Sequence, residues 1–309
     1  MKGIVLEGGS FRGIFTAGVL DALLEHDIYL PYCIGVSAGI TNGVSYISKQ
    51  VGRNLKVLTT YRHDKRYFSK RNLIKCKSVF GLEFAYNEIP NKLEKFDWDT
   101  YKAYPGKVVV VTTNALTGKA QYFNGIKMDK NCTLLRATCA LPIVFPTIKI
   151  KGTPHYDGGL SDPIPVKRAL KDGCDKMIIV LTRPQGYIKE VSFSSKVISK
   201  ALKHRYPKVA ELLLTRHIGY NESVKYAEQL EREGKAYIIR PSRPLESFEK
   251  DVKKIEENYK LGYDYVDTHI ERIQAFLGEE ISEEVLEKED KPNEALQTKR
   301  VERRWYYGN

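Results

Sequence analysis

An α/β fold on a mostly parallel sheet is predicted by three observations. The first fifty residues alternate short apolar runs with glycine-rich turns and helix-period segments, the order that builds parallel strands with crossover helices. Two later runs, Val108–Val111 and Ile178–Leu181, are apolar without alternation, as strands covered on both faces are. An apolar fraction of 42% with 28% charged residues suits a packed globular core and argues against global disorder.

The elements follow in order. Residues 3–7 form a first strand ending in a Gly-rich turn. From Phe11 the period becomes helical, with Phe15, Val19, Ala22 and Leu23 on one face, and Pro31 marks the end of that helix. Tyr32–Val36 reads as a second strand, followed by Ser37-Ala38-Gly39 and a helix to about Lys49. Further strands are expected at Val108–Thr113, Lys149–Lys151, Met177–Thr182 and Ala236–Arg240. Beyond about Val191 the chain turns helical and rich in Lys and Glu, with helices over Pro207–Gly234 and Ser247–Leu277. Gly278–Asn309 reads as a short helix and a loose tail. At 309 residues without a repeat or low-complexity linker, the chain suits one domain with C-terminal helical additions.

Several classes are set aside. No run approaches the ~18 apolar residues of a membrane span, and the start lacks a signal-peptide apolar region. An intracellular, cytoplasmic protein is therefore expected, with room for a peripheral place at the inner membrane face. Five scattered cysteines (33, 76, 132, 139 and 174) without C-x-x-C suit reduced thiols. The six histidines show no metal-ligand spacing, so neither metal nor cofactor is expected. Fifty basic against 38 acidic residues give +12 at pH 7, an excess that suits an anionic partner.

The sharpest motif is Gly35-Val36-Ser37-Ala38-Gly39, a G-x-S-x-G between an apolar strand and a helix. A tight strand-to-helix turn lifts the serine Oγ from the sheet edge, and the flanking glycines, Gly35 and Gly39, avoid Cβ clashes across it. The helix N-terminus favours developing negative charge. Such pentapeptides recur by chance, so the flanking strand and helix carry the reading. The expected base is Asp157, in His155-Tyr156-Asp157-Gly158-Gly159-Leu160, on a loop after a strand where a carboxylate can reach across. His155, two residues earlier, is expected on the other face as a packing or surface histidine. A plain Asp-Gly-Gly turn is the competing reading. A carboxylate at pKa ~3.9 is a weak base, and burial is expected to raise it. The first strand-to-helix turn carries Gly8-Gly9-Ser10-Phe11-Arg12-Gly13, whose free amides make an oxyanion hole beside Ser37. Phosphate binding is the competing use, but Ser10 stands where G-x-G-x-x-G needs its middle glycine and a Walker lysine is absent.

These three motifs, in this order, resemble the patatin-like phospholipases, whose pattern is a G-G-G-x-[RK]-G loop, a G-x-S-x-G elbow and a D-G-[GA] motif. The stretch Arg136–Pro146 also resembles the family's helix and double-proline segment. The resemblance covers residues 2–185. It implies a three-layer α/β/α fold, a Ser–Asp dyad without catalytic histidine, and hydrolysis of phospholipid or other lipid esters. Carried over, Ser37 is the nucleophile, Asp157 the base, and Gly8–Gly13 the oxyanion loop, with Gly158 and Gly159 completing the Asp-Gly-Gly motif. Ser10 replaces the loop's third glycine, and a positive φ there would strain it. The implied organisation is a catalytic domain over 1–185, a packed strand and helical extension over 186–278, and a tail over 279–309.

Arg53–Lys77 holds nine Lys and Arg against one acid, Asp64, with Tyr61, Tyr67 and Phe68 among them. Cations with interfacial aromatics suit an anionic lipid surface, with Arg62, Lys65, Arg66, Lys70 and Arg71 as contacts. Lys189–Lys208 is similarly basic, with an apolar face of Phe193, Val197, Ile198, Ala201 and Leu202. RNA fits the same composition but ranks below lipid because the motifs point to an ester. The rival readings are a non-catalytic lipid- or nucleic-acid-binding protein on the same fold, and a Ser-His-Asp esterase using His155 or His217.

Overall fold

The computed structural model describes residues 1–278, with the backbone alone of Lys75 and Cys76. The expected terminal helix and tail over 279–309 lie outside the described residues. The apolar run at the start forms β1 (Lys2–Leu6), and a 3-10 turn at Ser10–Arg12 leads into α1 (Gly13–Glu25). Helix α1 ends at Glu25, well before Pro31. Next come β2 (Tyr32–Val36), α2 (Ala38–Ile47), α3 (Arg53–Tyr61) and α4 (Lys70–Cys76). A π-helix over Phe84–Leu93, with Pro90 inside it, precedes α5 (Trp98–Lys102). Then follow β3 (Lys107–Asn114), β4 (Ala120–Asn124), α6 (Thr133–Thr138), β5 (Ile148–Ile150), β6 (Thr153–Asp157), α7 (Val166–Lys171) and β7 (Lys176–Val180). The described chain closes with α8 (Phe193–Leu202), α9 (Pro207–Arg232), β8 (Ala236–Ile239) and α10 (Val252–Leu277).

All eight strands join one sheet, in the order β5-β6-β3-β2-β1-β7-β8 with β4 on β3. The pairs β3–β2, β2–β1, β1–β7 and β7–β8 are parallel, and β4, β5 and β6 pair antiparallel. Ile4, Leu6, Cys33, Val108 and Val110 pack on α1, α2 and α10, while Val5, Ile34, Val36, Val109 and Val111 pack on α7 and α9. This makes three layers, and it explains the unbroken apolar runs: alternate residues enter opposite cores.

Strand β3 decides where the site forms. Along one edge it pairs with β2 up to Val36↔Val111. Its other edge carries β4, with Val110↔Phe123 and Thr112↔Gln121. Strand β6 pairs Asp157↔Thr112, and since β4 holds the far edge, β6 lies on the edge that β2 has just left. The end of β2 and the end of β6 therefore abut, one register step apart. Asp157 is the last residue of a strand, not a loop residue as expected. Strand β6 is short and carries Pro154, which tells against a strand in sequence reading.

Helix α1 is buried from Gly13 to Leu23 because α10 covers the side that an amphipathic reading leaves to solvent. The two helices meet backbone to backbone. A Cβ on Gly18 would lie 2.0 Å from the Tyr259 carbonyl oxygen, and one on Gly262 would lie 2.2 Å from that of Phe15. Asp21, also buried, accepts hydrogen bonds from the Gly52 amide and the Tyr259 hydroxyl, at 2.9 and 2.8 Å.

This crossing yields a prediction. Alanine is favoured over glycine in a helix by ~1 kcal/mol, yet overpacking costs about 1–3 kcal/mol or more. Gly18→Ala should therefore lower the denaturant midpoint. A raised midpoint would mean that α1 and α10 do not touch at this position.

Candidate active site

The elbow is tight. Ser37 adopts φ 52° and ψ −130° between the end of β2 and the start of α2. A non-glycine residue there is strained, and the strain holds its side chain out of both elements. A Cβ at Gly39 would lie 2.5 Å from the Glu7 carbonyl oxygen, so only glycine lets α2 start this close to β1. The Ser37 amide donates to Thr138 Oγ1 at 2.9 Å, and that hydroxyl donates to the Val111 carbonyl at 2.5 Å. Helix α6 thereby ties the elbow to β3.

Ser37 and Asp157 meet. The Ser37 hydroxyl lies close enough to the Asp157 carboxylate to favour its charged form, and Asp157 Oδ1 accepts from the Gly159 amide at 2.8 Å. Asp157 is 4% exposed. Burial pushes its pKa above the usual carboxylate range, opposed by the Ser37 hydroxyl, by the Gly159 hydrogen bond and by the positive charges of Arg216 and Lys189. The Cys139 thiol shares a hydrogen bond with Thr41 Oγ1 at 3.5 Å, and burial together with the Asp157 charge raises its pKa. It stays a thiol rather than a competing thiolate.

The glycine loop packs against the elbow: a Cβ at Gly8 would lie 3.0 Å from Ser37 Cβ. Among the described residues the amides of Gly9 and Ser10 have no acceptor, while those of Phe11 and Arg12 donate to Ser247 and Gly9 carbonyls, both at 3.1 Å. The expected oxyanion loop thus narrows: Phe11 and Arg12 have no amide to offer, and Gly13 opens α1. Ser10 has φ 51°, the strained conformation expected where serine replaces glycine. Phe11 is buried, with its ring against Phe68, Phe80 and Phe248.

Ser37 opens onto a cavity of about 180 Å³ whose lining includes Phe11, Ile14, Leu58, Ile89, Leu135 and Phe145. It runs between the starts of α1 and α2 and the cover made by α3 and the π-helix. The cover residues carried no signal beyond scattered apolar side chains.

Histidine has another place. Residues two apart on a strand share a face, so alternation does not separate His155 from Asp157 as expected. What separates them is a hydrogen bond: His155, 1% exposed, shares one between Nδ1 and Thr112 Oγ1 at 2.8 Å, and its ring packs on Phe123. It is a packing histidine, not a surface one. His217 lies on α9 with a buried Nδ1 that has no hydrogen-bond partner among the described residues. Among the described contacts neither histidine bonds Ser37 or Asp157.

The basic segment divides. Arg62 is not a surface cation. It is 4% exposed, bonds the Glu249 carbonyl at 2.5 Å, and stacks on Phe11 and Phe68. Arg66 is exposed but pairs with Asp64 at 2.8 Å and lies 4.2 Å from the Phe84 ring centre. Tyr67 and Phe68, expected as interfacial aromatics, pack inside around Phe80. Lys65, Lys70 and Arg71 are exposed. On α8, Leu202 and Ile198 pack inward while Phe193 and Val197 are exposed.

An elbow serine beside a buried carboxylate, lining an apolar cavity, describes an ester-hydrolase type of site. A family model described as patatin-like phospholipase matches residues 4–170. The chain belongs to that family, whose members are hydrolases of lipid carboxylic esters. A second model, a domain of unknown function (DUF6363), matches residues 206–278. The uncharacterized protein YjjU of Escherichia coli is 25% identical over 269 residues, covering 84% of this chain and 74% of that protein. Proteins named lysophospholipase NTE1 from Lodderomyces elongisporus and Scheffersomyces stipitis are each 25% identical over 285 residues and 86% of this chain. The chain spans only 19% and 18% of their lengths. The solved structure of VipD from Legionella pneumophila aligns over 87% of this chain and 67% of its own, at 13% identity and TM-score 0.42.

Burial holds the His155 pKa down to about 4 against 6.5 for the free side chain. Between those values the unfolded chain binds the extra proton, so His155 lowers stability as pH falls from about 6.5 toward 4. In His155→Gln the unfolding midpoint should depend less steeply on pH across that window. An unchanged slope would mean that His155 titrates normally in the folded protein.

Proposed function

We propose that the protein is a lipolytic serine acyl hydrolase, of phospholipase A or lysophospholipase type, working through a Ser37–Asp157 dyad and an acyl-enzyme. The observation that carries this reading is the placing of Ser37 beside the buried Asp157 by the β3 register, with Ser37 lining an apolar cavity. The names of the fungal relatives support a lysophospholipid-like substrate.

The steps follow from the geometry. Asp157 takes the hydroxyl proton as Ser37 Oγ adds to the ester carbonyl. The carbonyl oxygen becomes an oxyanion beside the free amides of Gly9 and Ser10 and the N-terminal amides of α2. As the tetrahedral adduct collapses, the C–O bond to the alcohol breaks and Asp157 protonates the leaving oxygen. Water then adds to the acyl-Ser37, losing its proton to Asp157, and the fatty acid departs as Ser37 recovers a proton. The raised Asp157 pKa makes it a stronger base than a free carboxylate. The acyl chain lies in the cavity, away from water.

Ser37→Ala and Asp157→Asn should each lower kcat on a short-chain ester by roughly a thousandfold or more, and the double variant should be no worse than either. Since the base acts deprotonated, kcat/KM should fall on the acid side at a pH above the ordinary carboxylate range of ~3.9. An Asp157→Asn variant with near-full activity would refute the dyad.

The protein works at an anionic membrane surface. Supporting this, Lys65, Lys70 and Arg71 are exposed, and on α4 Ile74 is 89% exposed beside them. The loop after α4 joins Ile143, also exposed, through a Val79 amide to Val144 carbonyl bond at 3.1 Å. Phe80 and Phe145, next to those bonded residues, line the cavity. Each cation near an anionic surface contributes ~1 kcal/mol, so reversing Lys65, Lys70 and Arg71 to Glu should weaken binding to anionic vesicles by roughly a hundredfold. Binding that ignores both salt and these changes would remove the membrane reading.

A further inference from the structure

On the side of the dyad facing the glycine loop, four cationic side chains converge from three parts of the chain. Arg12 comes from the loop, Arg183 and Lys189 from the segment after β7, and Arg216 from α9. They are close enough to act on one another: the charges of Arg216, Arg12 and Arg183 all bear on Lys189, and Arg183 bears on Arg12. Arg216 and Lys189 also act on Asp157. Arg12 Nε and Arg216 Nε are buried, with no hydrogen-bond partner among the described residues.

Two carboxylates face this group, Asp157 of the dyad and Glu7, and both are already engaged. Glu7, 3% exposed, accepts from the Thr182 amide at 2.6 Å, and burial followed by the Glu7 charge raises the pKa of the Tyr220 hydroxyl. The walls are aromatic and fixed. Arg183 lies 4.4 Å over the Tyr187 ring, Lys189 lies 4.6 Å over that of Tyr220, and the two rings pack edge to face. The Lys189 backbone is clamped to α9, its amide donating to Asn221 Oδ1 at 2.9 Å and its carbonyl accepting from Nδ2 at 3.0 Å. Burial and the neighbouring arginines push the Lys189 ammonium down to about 7.

Like charges gathered out of water are costly unless an anion joins them. Guanidinium forks with free N–H groups suit a phosphate, which they bind with paired, charge-assisted hydrogen bonds. The apolar cavity is lined by Ser37, and the cation cluster acts on Asp157, so one is fit for the acyl half of an ester and the other for an anionic alcohol half. In a lysophospholipid the phosphate lies a few bonds from the ester. Building on the hydrolase reading above, we infer that Arg183, Lys189 and Arg216, with Arg12, form a headgroup subsite that binds the phosphate of the leaving alcohol. The enzyme thereby selects phosphate-bearing lipid esters over neutral acylglycerols.

Calorimetric titration with glycerol 3-phosphate reads the subsite without turnover. The wild type should bind it, Lys189→Met and Arg216→Met should each weaken binding roughly 10- to 100-fold, and Lys189→Arg should restore most of it. In the kinetic arm, kcat/KM on lysophosphatidic acid is divided by kcat/KM on the monoacylglycerol of the same chain. That ratio should fall by a similar factor in the Met variants and recover in Lys189→Arg, with matched unfolding midpoints confirming the fold. A titration with inorganic phosphate separates the sources. If it binds as tightly as glycerol 3-phosphate and the ratio does not move, the site holds free phosphate and the headgroup inference is overturned. No glycerol 3-phosphate binding together with an unmoved ratio overturns it too. If neither lipid is hydrolysed while glycerol 3-phosphate binds through Lys189 and Arg216, the hydrolase reading fails and the phosphate site stands.

Discussion

The site depends on one edge of β3. Strand β2 runs up that edge and leaves it at Val111, and β6 runs down onto it and ends at Thr112. A serine turning out of one strand and an aspartate ending the other are thus set side by side by backbone hydrogen bonds, not by side-chain reach. A one-residue slip of β6 would send the carboxylate to the opposite face. Thr138, bonded to both the Ser37 amide and the Val111 carbonyl, locks the elbow to the same strand.

This arrangement holds three unfavourable features in one place: positive φ at Ser37 and at Ser10, and a carboxylate removed from water. Each costs on the order of 1–3 kcal/mol and persists because the surrounding core leaves no alternative. Much of that core comes from the C-terminal part. Helix α10 covers the outer side of α1, β8 extends the sheet, and α9 lies along its other face. The Ser247 carbonyl fixes the Phe11 amide, so the segment before α10 also shapes the glycine loop. The later half of the chain thus completes the geometry that the motifs begin.

The motifs were legible because each is local. A glycine-flanked serine between a strand and a helix, and a glycine loop at the preceding turn, follow from backbone sterics within a few residues. What the pattern could not convey was pairing across the chain. Strands β4 and β6 are short, mixed in polarity and antiparallel, and Pro154 disguises β6, so Asp157 read as a loop residue. Arg62 read as a solvated cation because its aromatic and carbonyl partners include residues 248 and 249, far away in sequence. His155 and Asp157 share a face of β6, so alternation cannot separate them, and the bond to Thr112 is what holds His155 in place. The cluster of Arg183, Lys189 and Arg216 was invisible for the same reason as Arg62: its members come from the segment after β7 and from α9, and singly each is an ordinary basic residue.

The central claim is that Asp157, held by the β3 register, activates Ser37. The most direct measurement is labelling of the intact protein with a fluorophosphonate, followed by peptide mapping of the adduct. Fluorophosphonates react with activated serines, so the account predicts a single adduct on Ser37, formed quickly in the wild type and strongly suppressed in Asp157→Asn. An adduct on a different serine, or Ser37 labelling that proceeds at the same rate without the carboxylate, would contradict it.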